Sequence, residues 1–181
     1  MSDPPFALHI TWTCYGSWLP GDRRGYVSNT LQADRTYAPK QNIPGTAISP
    51  ADPLTHQRAG ELQKSPTISL TAEQAICVAE EFVKASRERG WHVLRAAIMA
   101  NHAHVVIADC PEDGPAVRRV LKGTSQAALS RLVGEPRSWW TRGGSDRYKH
   151  DDEAIQNAVN YVARQRGILA EIVDMQVRVP E

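Results

Sequence analysis

An α+β fold is predicted for this 181-residue sequence, with an antiparallel sheet and helices on one face in the split, ferredoxin-like β-α-β-β-α-β order. Three observations predict it. Short runs of β-branched and aromatic residues alternate with longer stretches of helical period. Two of those runs, Trp91–Met99 and His102–Asp109, are parted only by Ala100-Asn101, which makes a hairpin. Helical segments lie on either side of that hairpin, and a strand-like run precedes the first of them.

The opening run, Phe6 to Tyr15, is rich in β-branched and aromatic residues and reads as a strand. Gly16, Pro20 and Gly21 break it. From Asp22 to about Pro66 no period is sustained, and prolines recur. An excursion of that length is usually functional or disordered; short helical turns within it are expected around His56 to Gln63. Thr71 to Arg89 reads as a helix, with Ser69 or Thr71 as its cap and Gly90 as its stop. Its core-facing set is Ala75, Ile76, Ala79, Phe82 and Val83. The hairpin follows. Pro115 then suits the first turn of a helix running to about Val133. Trp139 to Tyr148 holds a short strand around a Gly-Gly turn. Asp151, Asp152 and Glu153 open a last helix, where its dipole favours acids, and Gly167 closes it after Arg166. Ile168 to Val179 has the composition of a further strand. The chain thus reads as one domain, 1–181, with an irregular insertion at about 22–66 and a final helix at about 150–167.

Composition narrows the function. A 41% hydrophobic and 23% charged content is that of a globular protein, and the net charge of +1 provides no global basic field. Nucleic-acid binding would have to come from local patches. Three cysteines at unrelated spacings, with no Cys-x-x-Cys, point to buried thiols in a reducing compartment. No apolar stretch approaches the roughly 20 residues that span a bilayer, and residues 1–5 lack the pattern of a signal peptide. A cytoplasmic, nucleoid-associated location and no membrane partner are expected.

His102-Ala103-His104 is the most informative motif. On a strand, His102 and His104 share one face while Ala103, Val105 and Ile107 line the other. Side by side, two imidazoles are spaced to grip one divalent metal. The last helix adds Asn157, Tyr161 and Gln165, four apart and on one side. Two imidazoles and the Gln165 amide oxygen make three ligands with positions left for phosphate oxygens, a set that admits Mn²⁺ and, with a phosphate substrate, Mg²⁺. One turn away, the Tyr161 hydroxyl could attack phosphorus to form a covalent phosphotyrosine.

These motifs, in this order, resemble the single-tyrosine HUH transposases, a family that includes insertion-sequence transposases and REP-associated tyrosine transposases. The resemblance spans nearly the whole chain. It covers residues His9 to Asp22, Met99 to His104, Val120 to Ser125, Trp140 to Ser145 and Tyr161 to Gln165. Ala100 stands where the family usually has proline, Ala103 is small for the central hydrophobic position, and Arg164-Gln165-Arg166 stands where many REP-associated members carry Asn-Pro. The resemblance implies an RRM-like core and a transposase that cuts and rejoins single-stranded DNA, recognising hairpin or palindromic sequences. Tyr161 would be the nucleophile, and His102, His104 and Gln165 would hold Mg²⁺ or Mn²⁺. Members act as homodimers or as monomers. Two other readings stay open: a domesticated hairpin-binding protein that does not cut, and a phosphoesterase in which water attacks.

Between Pro115 and Arg137, five cations stand against one acid. Arg118, Arg119 and Lys122 are the expected phosphate contacts from this segment. In the excursion, Arg23, Arg24 and Arg35 are interleaved with Trp18, Tyr26 and Tyr37, as suits unpaired bases. Trp12 reads as sheet packing, and Trp139 and Trp140 as one core residue and one unassigned. His9, His56, His92 and His150 lack a paired ligand at suitable spacing and read as structural.

Overall fold

The computed structural model describes residues 6–26, 36 and 47–180. Among them lie six strands and four helices in the order β1 (Ala7–Thr13), α1 (Pro53–Glu61), α2 (Ala72–Arg89), β2 (His92–Met99), β3 (His102–Ala108), α3 (Gly114–Val133), β4 (Ser145–Lys149), α4 (Asp152–Ala163), β5 (Ile168–Val173) and β6 (Gln176–Arg178). The strands form one sheet in the order β4-β1-β3-β2-β5-β6, and all five pairings are antiparallel. The predicted α+β class and its β-α-β-β-α-β core are present. Residues 1–15 with 68–181 make one compact unit, and residues 16–67 make another.

In the larger unit, alternation along the strands divides the residues between two faces. Leu8, Ile10 and Trp12 of β1, and Ala103, Val105 and Ile107 of β3, join the main core with Val78, Phe82, Leu121 and Leu129 of α2 and α3. On β2 the register shifts between Val93 and Arg95, so that Val93, Ala96 and Ile98 all reach the same core. Such a bulge reverses which parity points where. It leaves Arg95 and Ala97 on the opposite face.

Local chemistry sets the helix ends. Thr71 and Gln74 form a capping box at α2, which Gly90 closes at φ 72°. Asp113 caps α3 by accepting from the Ala116 amide, and Asp151 caps α4 by accepting from that of Ala154. Gly144 stands before β4 at φ 154°, where an added Cβ would lie 2.7 Å from the Thr11 carbonyl oxygen. Glycine is required by that approach.

Several sequence expectations are corrected here. The helices of the core lie on one face as expected, but α4, which the sequence pattern does not place, lies on the other. The reason is apolar: Ala7, Ala97, Met99 and Val106 crop out on that face, and Ala158 and Val162 bury them. α4 ends at Ala163 rather than near Arg166, because the chain tightens as Gln165 N donates to the Val162 carbonyl. The C-terminal segment is a hairpin of two strands. Trp139 and Trp140 are both core, their ring N–H groups donating to Ser130 and Ser125.

The 16–67 unit is less irregular than its sequence suggests. α1 is capped by Asp52, and Tyr26 and Ser49 pair their backbones. Asp22 is buried at the centre of a turn and accepts from Arg24 N, Nε and Nη2. Those bonds hold its carboxyl well below the usual carboxylate range.

Candidate active site

Strand register assembles the site. β1 pairs with β3 so that Thr13 stands opposite His102, Thr11 opposite His104 and His9 opposite Val106. Directly paired residues share a face. Hence His9, Thr11, Thr13, His102 and His104 rise from one side of two central strands, and it is the side that α4 covers. The predicted geometry of the His-x-His pair holds, with ring centroids 5.1 Å apart. α4 then brings Tyr161 over them, its ring 5.6 Å from that of His104 and 5.7 Å from that of His9. Tyr161 remains 54% exposed.

His9 is the residue that sequence reasoning missed. Its Nε2 lies 3.2 Å from His104 Nδ1, and Thr11 Oγ1 lies 2.9 Å from the same atom. Two groups therefore fix the His104 ring from behind. His102 is fixed as well, with Nδ1 2.6 Å from Asn101 Oδ1. An amide oxygen only accepts, so this bond puts the His102 proton on Nδ1 and its lone pair on Nε2. Burial, then the neighbouring His102 and His9, brings His104 down to about 3. Burial, then Lys149 and Arg147, brings His9 down to about 4. At neutral pH both rings are uncharged and carry a lone pair each. The signal for His9 was its parity with Thr11 and Thr13. It becomes readable only once β1 is known to lie beside β3.

Gln165 stands just beyond α4, and its Nε2 donates to the carbonyl of Tyr161 at 3.2 Å. That bond engages the amide nitrogen and leaves Oε1 as the acceptor atom of the side chain. Among the described residues no group of three or more His, Cys, Asp or Glu side chains is arranged to hold a metal. The candidate set here is two histidines and an amide.

The expected phosphate contacts have varied settings. Arg118 pairs with Asp146 at 2.5 Å. Lys122 is half-buried and donates to the carbonyls of Thr141 at 2.5 Å and Gly143 at 2.9 Å. Burial, with Arg118 nearby, brings Lys122 down to about 8. Arg118 thus ties α3 to β4, and Lys122 ties it to the segment before β4. Through that segment Lys122 reaches the site: Thr141 Oγ1 lies 3.0 Å from Thr13 Oγ1, and Thr13 stands opposite His102. Arg119 lies on the same helix. In the 16–67 unit, Arg24 pairs with Asp22 and lies over the Trp18 ring, whose N–H donates to the Gly25 carbonyl. Arg23 is exposed. Arg35 and Tyr37 lie outside the described residues. Among those residues, no helix is long and apolar enough to cross a membrane.

No protein-family profile matches this chain, and no curated protein matches its sequence. Among solved structures, it is similar to a REP-associated tyrosine transposase bound to a REP hairpin, with a TM-score of 0.44 and 12% identity. The similarity covers 88% of this chain and 65% of that one.

Proposed function

We propose that this chain is a metal-dependent strand transferase of the HUH type its motifs resemble, cutting and rejoining single-stranded, hairpin-bearing DNA through a 5′-phosphotyrosine. One observation carries the reading. An exposed tyrosine stands over two buried, uncharged imidazoles, one of them from the His-x-His pair.

The donors suit a divalent cation. His102 has its lone pair on Nε2, and a proton on His104 Nδ1, given to Thr11 Oγ1, leaves the His104 lone pair on Nε2 too. His102, His104 and Gln165 would hold Mg²⁺ or Mn²⁺, which supplies polarisation of the phosphate oxygens when bound. The remaining chemistry belongs to the chain. Tyr161 Oη forms a bond to phosphorus as the bond from phosphorus to the 3′-oxygen breaks. Its phenol proton passes to water, which the exposure of the ring admits. The departing 3′-oxygen takes up a proton and becomes a hydroxyl. Because the phosphotyrosine preserves the diester bond, another 3′-hydroxyl can later displace Tyr161 without an energy source. His9 and Thr11 touch no substrate in this scheme; they hold His104 in orientation.

An end-labelled single strand with a hairpin and unpaired flanks, incubated with Mn²⁺ or Mg²⁺, is expected to give an adduct that survives detergent electrophoresis and disappears with EDTA. Repeated cleavage with no adduct would instead assign the attack to water. Binding that is indifferent to EDTA, with no cleavage, would leave a hairpin-binding protein.

A further inference from the structure

We propose that the edge strand β4 is the docking strip for the nucleic-acid strand presented to Tyr161, with Arg147 and Lys149 as its phosphate contacts. This inference rests on the function proposed above and adds the path of the substrate. β4 is the outer strand of the sheet beside β1. Its register sets Ser145 opposite Thr11, Arg147 opposite His9 and Lys149 opposite Ala7. All three therefore rise from the face that carries His9, His104 and Tyr161. Facing pairs on adjacent strands have Cβ atoms about 4.5–5.5 Å apart, so Arg147 starts immediately beside the His9 ring.

Among the described residues neither Arg147 nor Lys149 has an ion-pair partner, whereas Arg118 is held by Asp146 and, on the same sheet face, Arg95 by Glu171. Arg147 is exposed and Lys149 partly so. Alternate residues along a strand are about 6.7 Å apart, close to the separation of successive phosphates on an extended nucleic acid. A row of hydroxyl, cation and cation leading to a tyrosine on the same face complements a polyanion in extended form. Edge strands also use charge to prevent sheet-to-sheet pairing, and that use makes a different prediction.

The test is binding of a fluorescent single-stranded oligonucleotide to the full chain in EDTA, measured by anisotropy over a range of salt. Each phosphate contact on a single strand contributes about 0.7 to the slope of log K against log salt. Arg147→Gln with Lys149→Gln is expected to lower the slope by about 1.4, while Lys84→Gln, on α2, leaves it unchanged. A wild-type slope in the double variant overturns the docking strip, as does sedimentation showing that the variant only gains self-association. The two proposals fail separately. Loss of slope with no adduct in the wild type removes the transferase and keeps the strip; an adduct with no loss of slope does the reverse.

Discussion

Tyr161→Phe is expected to abolish the protein–DNA adduct and to lower strand cleavage by on the order of 10⁴-fold or more, since loss of a covalent nucleophile removes the step rather than slowing it. The fold provides a clean control. Tyr161 is 54% exposed, and its contacts with His9 and His104 are made by the ring, which phenylalanine keeps. Stability should stay within about 0.5 kcal/mol, as for other surface substitutions. Oligonucleotide binding in EDTA should be preserved. The measurement is adduct yield by electrophoresis beside urea unfolding of the same preparation. An adduct that persists in the folded variant would place the nucleophile elsewhere.

The second large effect is on stability in mild acid. In the folded chain His9 lies at about 4 and His104 at about 3, against 6.5 for an ordinary histidine, mainly because both are buried. Between those values the unfolded chain binds more protons than the folded one, so stability rises with pH. The contribution is fully present above pH 6.5 and is lost as pH falls toward 4. One such ring, shifted as His9 is, corresponds to about 3 kcal/mol. Urea unfolding at steps from pH 7.5 to 4.5 should show this decline before most carboxylates titrate. His9→Gln should flatten it, since one of the two rings no longer has to be kept neutral. A wild-type stability that is level across this window would contradict the buried, hydrogen-bonded pair.

Why some of this could be read from sequence and some not follows from the reach of each signal. Alternation around Ala103 and Val105 is local, so the shared face of His102 and His104 was legible from neighbouring residues alone. The same holds for Thr71, Asp151 and Gly90, where a cap is a contact within a few positions. His9 was not legible in this way. Its role depends on the register between β1 and β3, a pairing of residues some 95 positions apart. The partners of Arg118 and Lys122 were hidden for a related reason. Their spacing suggests a solvent-facing basic stripe, and only tertiary packing shows that Asp146 and the carbonyls of Thr141 and Gly143 already occupy them. The C-terminal hairpin turns at Asp174 and Met175, both at positive φ without glycine, so the usual punctuation was missing. The end of α4 at Ala163 had no proline or glycine to mark it either.

The thin apolar footing of α4 has a consequence of another kind. α2 and α3 are anchored through Phe82, Val78, Leu121 and Leu129 into the main core, whereas α4 fully buries Ala158 and Val162, with Ile155 and Val159 partly buried beside them. Free energy of local opening follows buried apolar contact. The sheet that carries the histidines is therefore expected to be the most persistent part of the unit in amide hydrogen exchange, with the segment bearing Tyr161 opening at lower cost than global unfolding.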